Sequence, residues 1–142
     1  MIYTEQTVKA MRLCYEAHHG QTDKAGVPYV FHPFHLAEQM QTEQTIVVAL
    51  LHDVVEDTQY TLEDLWNMGF DKAVIDALAL LTHDDNTDYM DYVRAIKGNP
   101  IAKAVKLADL AHNSDLSRLT TVDEKALQRR EKYLKAMALL RE

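Results

Sequence analysis

The chain has 142 residues, 47% hydrophobic and 26% charged, with a formal net charge of −7. That length fits one domain built around one core, and the charge argues against nonspecific binding to nucleic acid or to an anionic membrane. The single cysteine, Cys14, cannot form an internal disulfide, which fits a reducing cytoplasm.

No stretch is long and apolar enough to span a bilayer. Met1-Ile2-Tyr3-Thr4-Glu5 lacks a basic region followed by an apolar one, so no secretory signal is expected. Four glycines and three prolines make punctuation sparse, which favours long helices. The first helix is predicted from about Thr4 to His18, with Val8, Met11, Cys14 (or Tyr15) and His18 on one face. Gly20, Gly26 and Pro28 mark a loop. Pro33 suits the first turn of a helix from about His32 to Gln41, where its missing N–H is not needed; Phe34 (or His35), Ala37 and Met40 point inward.

Glu43 to Val55 reads as the most apolar and hence central helix, with Ile46, Val47, Ala49, Leu50 and Val54 leaving few polar positions. Thr61 with Asp64 resembles an N-cap signature for a short helix to Asn67. Helices follow over Asp71–Leu81, Tyr89–Lys97 and Ile101–Asn113, the last with Ile101, Ala104, Val105, Ala108 and Ala111 as its stripe. Thr121 or Asp123 caps a final helix reaching about Leu140, with Leu127, Leu134, Met137 and Leu140 as its core side. Trp66 reads as packing, and Gln128 to Lys132 as a solvated helix face. Nothing alternates with period two. The expectation is an all-α bundle in a single domain, residues 1–142.

The chemistry concentrates in Ala49-Leu50-Leu51-His52-Asp53-Val54-Val55-Glu56-Asp57. Four ionisable groups at the end of an apolar run cost free energy unless something compensates them. A metal ion held by His52 and Asp53 would do so, leaving Glu56 and Asp57 as proton acceptors. Adjacent residues diverge by about 100° around a helix, yet all four lie within about one turn. Divalent first-row metals accept mixed imidazole and carboxylate ligands. Two donors are too few, and the candidates elsewhere are His32, at a Pro-marked helix start, and Asp109, an acid interrupting Val105–Asn113. His112 could support such a site through a hydrogen bond.

These stretches, with Ala17-His18-His19-Gly20-Gln21, Gly26-Val27-Pro28-Tyr29, His32-Pro33 and Val105-Lys106-Leu107-Ala108-Asp109 followed by His112-Asn113, resemble the HD superfamily of metal-dependent phosphohydrolases. Within it they look most like the hydrolase domain of RelA/SpoT-type enzymes and the small stand-alone alarmone hydrolases. The resemblance implies an HD-domain helical bundle holding one Mn²⁺ through His32, His52, Asp53 and Asp109. It implies that Glu56 and Asp57 position or deprotonate the attacking water, and that Asn113 contacts the substrate. The family reaction removes pyrophosphate from the 3′ position of guanosine tetra- or pentaphosphate. The chain as read leaves no room for the synthetase domain of the bifunctional members.

One departure concerns specificity. The family commonly has a basic residue that packs on the purine where this chain has Asp23; Lys24, beside it, remains available for phosphate. A phosphorylated nucleotide is therefore the expected partner, with another nucleotide substrate, or nucleotide binding without turnover, as alternatives. The Glu56-Asp57 pair argues against the last, because a pure binder needs no water-activating base.

Overall fold

The computed structural model describes all residues from Met1 to Glu142. It contains α1 (Glu5–Ala17), α2 (Phe31–Glu38), α3 (Glu43–Leu51), α4 (Val54–Asp57), α5 (Leu62–Asn67), α6 (Lys72–Leu81), α7 (Tyr89–Ile96), α8 (Pro100–Asn113) and α9 (Glu124–Arg141), with a 3₁₀ turn at Leu116–Arg118. No strand is present; one antiparallel bridge, Thr22 to Pro28, closes the α1–α2 loop. The expected all-α bundle is the observed architecture.

Helix starts follow side-chain chemistry. Thr4, Thr42, Asp88, Asn99 and Asp123 each accept a backbone N–H from the first turn of the helix they precede, satisfying donors that have no partner within the helix. Thr61 and Asp64 form the reciprocal capping box, and Pro100 occupies the first position of α8.

The centre of the bundle is α3. Ile46 to Leu51 are six consecutive buried residues, so this helix has no solvent face, and α1, α2, α6 and α8 pack around it. The predicted continuous helix from Glu43 to Val55 is instead two. α3 ends at Leu51, and α4 begins at Val54. The His52 side chain donates to the Ala49 carbonyl at 2.6 Å, competing for the acceptor that the Asp53 N–H would use in a continuing helix. Asp53 then takes φ −105°, ψ 0° as the N-cap position of α4.

Several predicted faces are rotated. α1 buries Thr7, Ala10, Leu13 and Cys14, α2 buries His32, Pro33, Leu36 and Ala37, and Tyr15 and His35 face solvent. In α8 the buried stripe is Ala102, Val105, Asp109 and Leu110. Relative to the alanine-based reading it turns by about one residue, and this turn carries Asp109 inside. α9 lies at the edge, against α7 and α8; it buries Ala126, Ala136, Met137 and Leu140, while Leu127 and Leu134 are 49% and 41% exposed. Small alanines let α9 approach closely, and these two leucines face away. Trp66 is 55% exposed because short α5 buries only Leu65.

Leu50→Ala should lower the unfolding free energy by about 2–5 kcal/mol, read from denaturant midpoints at constant m-value. A loss within experimental error would show that α3 is not the packing centre.

Candidate metal centre

Three elements bring three donors together. His32 comes from the first turn of α2, His52 from the end of α3 and Asp109 from the middle of α8; all three are buried. One ligand atom from each lies within 4.8 Å of the others. His32 Nε2 is 3.0 Å from Asp109 Oδ1, and His52 Nε2 is 3.6 Å from the same oxygen. Asp53, the fourth predicted donor, is outside this common set but reaches His52 Nε2 with Oδ2 at 3.0 Å. Its Oδ2 also accepts a short hydrogen bond from the Tyr29 hydroxyl.

The tautomer of His52 is fixed by its surroundings. Nδ1 must carry a proton to donate to the Ala49 carbonyl. Nε2 is then a bare lone pair, buried without a hydrogen-bond partner and directed among carboxylate oxygens. Lone pair and anions repel unless a cation lies between them. The electrostatics draw positive charge to this point: burial opposes the imidazolium, but Asp53 and Asp109 outweigh it and raise the His52 pKa well above the ordinary range. Burial likewise opposes charge on Asp109, yet Lys106, His32 and His52 hold its carboxyl well below the ordinary value. Two imidazole nitrogens and neighbouring carboxylate oxygens are a donor set that fits a divalent first-row metal.

A second layer of contacts orients these donors. His112 Nδ1 meets His32 Nδ1 at 2.7 Å with the rings parallel, and His35 packs on the outer face of His112. Burial and the Arg118 guanidinium push the His112 pKa down to about 4, so it is neutral near pH 7. Its Nδ1 can therefore accept a proton from His32 Nδ1, turning His32 Nε2 toward the cluster as a lone pair. Asp109 Oδ2 accepts from Lys106 Nζ at 3.0 Å, and Oδ1 from Asn113 Nδ2 at 2.9 Å. The supporting role expected for His112 is thus present in the geometry.

Glu56 and Asp57 sit on exposed α4. Glu56 Oε1 accepts the His83 N–H at 2.6 Å. Partial burial raises its pKa against that hydrogen bond, with Asp53 and Asp57 adding repulsion. Burial first, then Asp53, raises Asp57 in the same sense. The backbone of Asp57 is tied to the α1–α2 loop: its carbonyl accepts from Gln21 Nε2, whose Oε1 meets buried His18.

Lys24 and Asn113 share a neighbouring cavity of about 330 Å³ with Tyr29, Arg118, Arg129 and Tyr133. Lys24 is exposed there and makes no contact with the metal cluster. The Asn113 amide is engaged on both sides, donating to Asp109 and accepting from Arg118 at 3.1 Å. Asp23 has a local role: Oδ1 accepts the Ala25 and Val27 N–H groups, and Oδ2 lies 3.7 Å from Arg118. It shapes the loop and holds a guanidinium at the cavity edge.

Sequence reasoning did not single out Tyr29, Gln21, Lys106 or Arg118, and it read Arg129 and Lys132 as solvated. Lys106 carried a usable signal, three residues before Asp109 on one helix face. The others carried none, because their partners lie on other elements or across a turn.

No family model matches the chain. Among curated proteins, it is 32% identical over 128 residues to the bifunctional (p)ppGpp synthase/hydrolase SpoT of Escherichia coli strain K12, an alignment covering 77% of this chain and 18% of that protein. A guanosine-3′,5′-bis(diphosphate) 3′-pyrophosphohydrolase of Vibrio cholerae is 44% identical over 70 residues, covering 44% of this chain and 10% of its own length. A solved structure described as a metazoan ortholog of SpoT that hydrolyses ppGpp superposes with a TM-score of 0.79 at 25% identity, covering 99% of this chain and 88% of that one. The chain is a homologue of the RelA/SpoT-type proteins. It spans less than a fifth of the length of the curated relatives it matches.

His32→Ala or His52→Ala in this homologue should abolish measurable Mn²⁺ binding in a calorimetric titration. Tyr29→Phe, which leaves every donor in place, should weaken it about 10–100-fold. Unchanged affinity in His52→Ala would remove the cluster as a binding site.

Proposed function

We propose that the chain is a metal-dependent phosphohydrolase of HD type that removes the 3′-pyrophosphate of guanosine tetra- or pentaphosphate, giving GDP or GTP and pyrophosphate. The observation that carries this is the buried, bare Nε2 of His52 among His32, Asp53 and Asp109, one turn from an acid pair, in a homologue of proteins named for that reaction. His32, His52, Asp53 and Asp109 would hold the ion, with Mn²⁺ as first choice. When bound, a divalent cation neutralises phosphate oxygens and acidifies water.

The chain's own residues supply the rest. Glu56, with Oε1 fixed by the His83 N–H, keeps its other oxygen free to accept the proton of the attacking water, and Asp57 lies beside it. Tyr29 holds Asp53 in place through its hydroxyl, and Lys106 keeps Asp109 ionised. Lys24, Arg118 and Arg129 offset phosphate charge locally in a chain whose net charge is −7, while Asn113 stands between that cavity and the cluster. Hydrolysis of the 3′ ester leaves a ribose hydroxyl and free diphosphate.

No helix is long and apolar enough to cross a membrane, and free, buried Cys14 agrees with a cytoplasmic location. A second reading keeps the same chemistry but changes the nucleotide. It is favoured by Asp23, whose carboxylate is committed to the loop and to Arg118 at the place where the family commonly puts a base-packing cation.

With Mn²⁺, the protein should release pyrophosphate from guanosine tetraphosphate, and Asp53→Ala or a chelator should abolish release. Turnover no faster than that of the variant sinks the first reading. A panel of phosphorylated nucleotides then decides for the second, and tight binding without product would mark a sensor. Because the Glu56 carboxyl is raised and must be ionised to accept a proton, the rate should fall as pH drops through a pKa above the ordinary glutamate value. Glu56→Gln should remove that limb and lower kcat about 10²–10⁴-fold. An unchanged profile would assign the base elsewhere.

A further inference from the structure

A smaller cavity of about 160 Å³ opens against Asp109, walled by Glu56, Tyr89, Tyr92, Lys106 and Lys132 among others. It is well below the ~300–1,000 Å³ of a drug-sized site, so a nucleoside does not fit and a compact anion does. Asn113 and Tyr133 line both this cavity and the larger one holding Lys24, Arg118 and Arg129. The two spaces are therefore neighbours that share these two side chains, close enough for an elongated ligand to place one end in each.

The donors of the smaller cavity are unmatched. The Tyr89 hydroxyl is buried and has no partner, a state that costs free energy until an acceptor arrives. Lys132 Nζ stands 4.0 Å from the Tyr89 ring centroid and forms no ion pair with its own chain. The positive charge of Lys106 is already balanced by Asp109, so Lys132 brings the uncompensated cation. Glu56 is the opposing charge in the wall, and its Oε1 is turned to the His83 N–H. An acceptor-rich anion satisfies both the orphan hydroxyl and the free ammonium.

We propose that this cavity receives the departing diphosphate of the substrate, with the Tyr89 hydroxyl and the Lys132 ammonium as its donors. The assignment rests on the phosphohydrolase reading above and adds to it which end of the ligand lies in which cavity. The nucleoside and its remaining phosphates occupy the larger cavity, and the scissile ester spans the junction at Asn113. Neither Tyr89 nor Lys132 is asked to move a proton; they bind the leaving group.

The test is calorimetric titration of inorganic pyrophosphate, with Mg²⁺ in fixed excess, into the full chain and three variants. Tyr89→Phe and Lys132→Gln should each weaken binding roughly tenfold, the scale of one hydrogen bond to a charged group, and Lys24→Gln should leave it unchanged. Thermal unfolding of each variant checks folding; the first change is close to isosteric and the second is at an exposed position. Loss in Lys24→Gln with wild-type affinity in the other two would put the diphosphate in the larger cavity and overturn the assignment, as would absence of pyrophosphate binding by the wild type at millimolar concentration. The titration needs no turnover. A protein that binds pyrophosphate through Tyr89 and Lys132 yet hydrolyses no guanosine tetraphosphate would defeat the substrate reading and keep the anion site.

Discussion

The site depends on one hydrogen bond, from His52 Nδ1 to the carbonyl of Ala49. It ends α3, frees Asp53 to turn into α4, and leaves a bare imidazole lone pair buried beside carboxylates. Burial makes the arrangement costly without a positive charge at its centre. The surrounding carboxylates favour positive charge at that point, and the donor chemistry suits a divalent ion there. The apolar length of α3, closed off by α1, α2, α6 and α8, keeps water from relieving the cost.

Asp109 is the second fixed point. His32, His52, Lys106 and Asn113 all converge on its two oxygens. The carboxylate is accordingly ionised, and its neighbours are held to a single geometry. Its ligand-facing oxygen looks toward the histidines, and its other oxygen is occupied by a lysine from one turn earlier on the same helix. The smaller cavity is lined by this residue, and the larger one adjoins it through Asn113 and Tyr133.

The basic groups show how an acidic chain can handle a phosphorylated ligand. Lys24 comes from the α1–α2 loop, Arg118 from the 3₁₀ turn, and Arg129 and Lys132 from α9. Only Arg118 among them has a carboxylate partner, Asp23 at 3.7 Å, so the excess of positive charge is local to this part of the surface. The α1–α2 loop is pinned by the Asp23 turn and by Gln21 bridging to Asp57. It thereby carries Tyr29 to Asp53 and Lys24 to the cavity mouth on a rigid support.

Local chemistry in the sequence determined the helices, their caps and the apolar centre. Thr61 with Asp64, Pro100, and Ile46 to Leu51 specify their own conformations through contacts within a few residues. The candidate donors His32, His52, Asp53 and Asp109 were also legible, because polar groups at the ends or in the middle of apolar helices need a reason to be there. Tertiary packing decided which face each helix buries: α1 and α8 are turned from the predicted stripe, and α9 hides alanines rather than Leu127 and Leu134. A helix with apolar residues on more than one face takes its orientation from its neighbours. The partners of Tyr29, Gln21, Arg118 and Lys132 lie on other elements or across a turn, so only the folded chain fixed what those side chains touch.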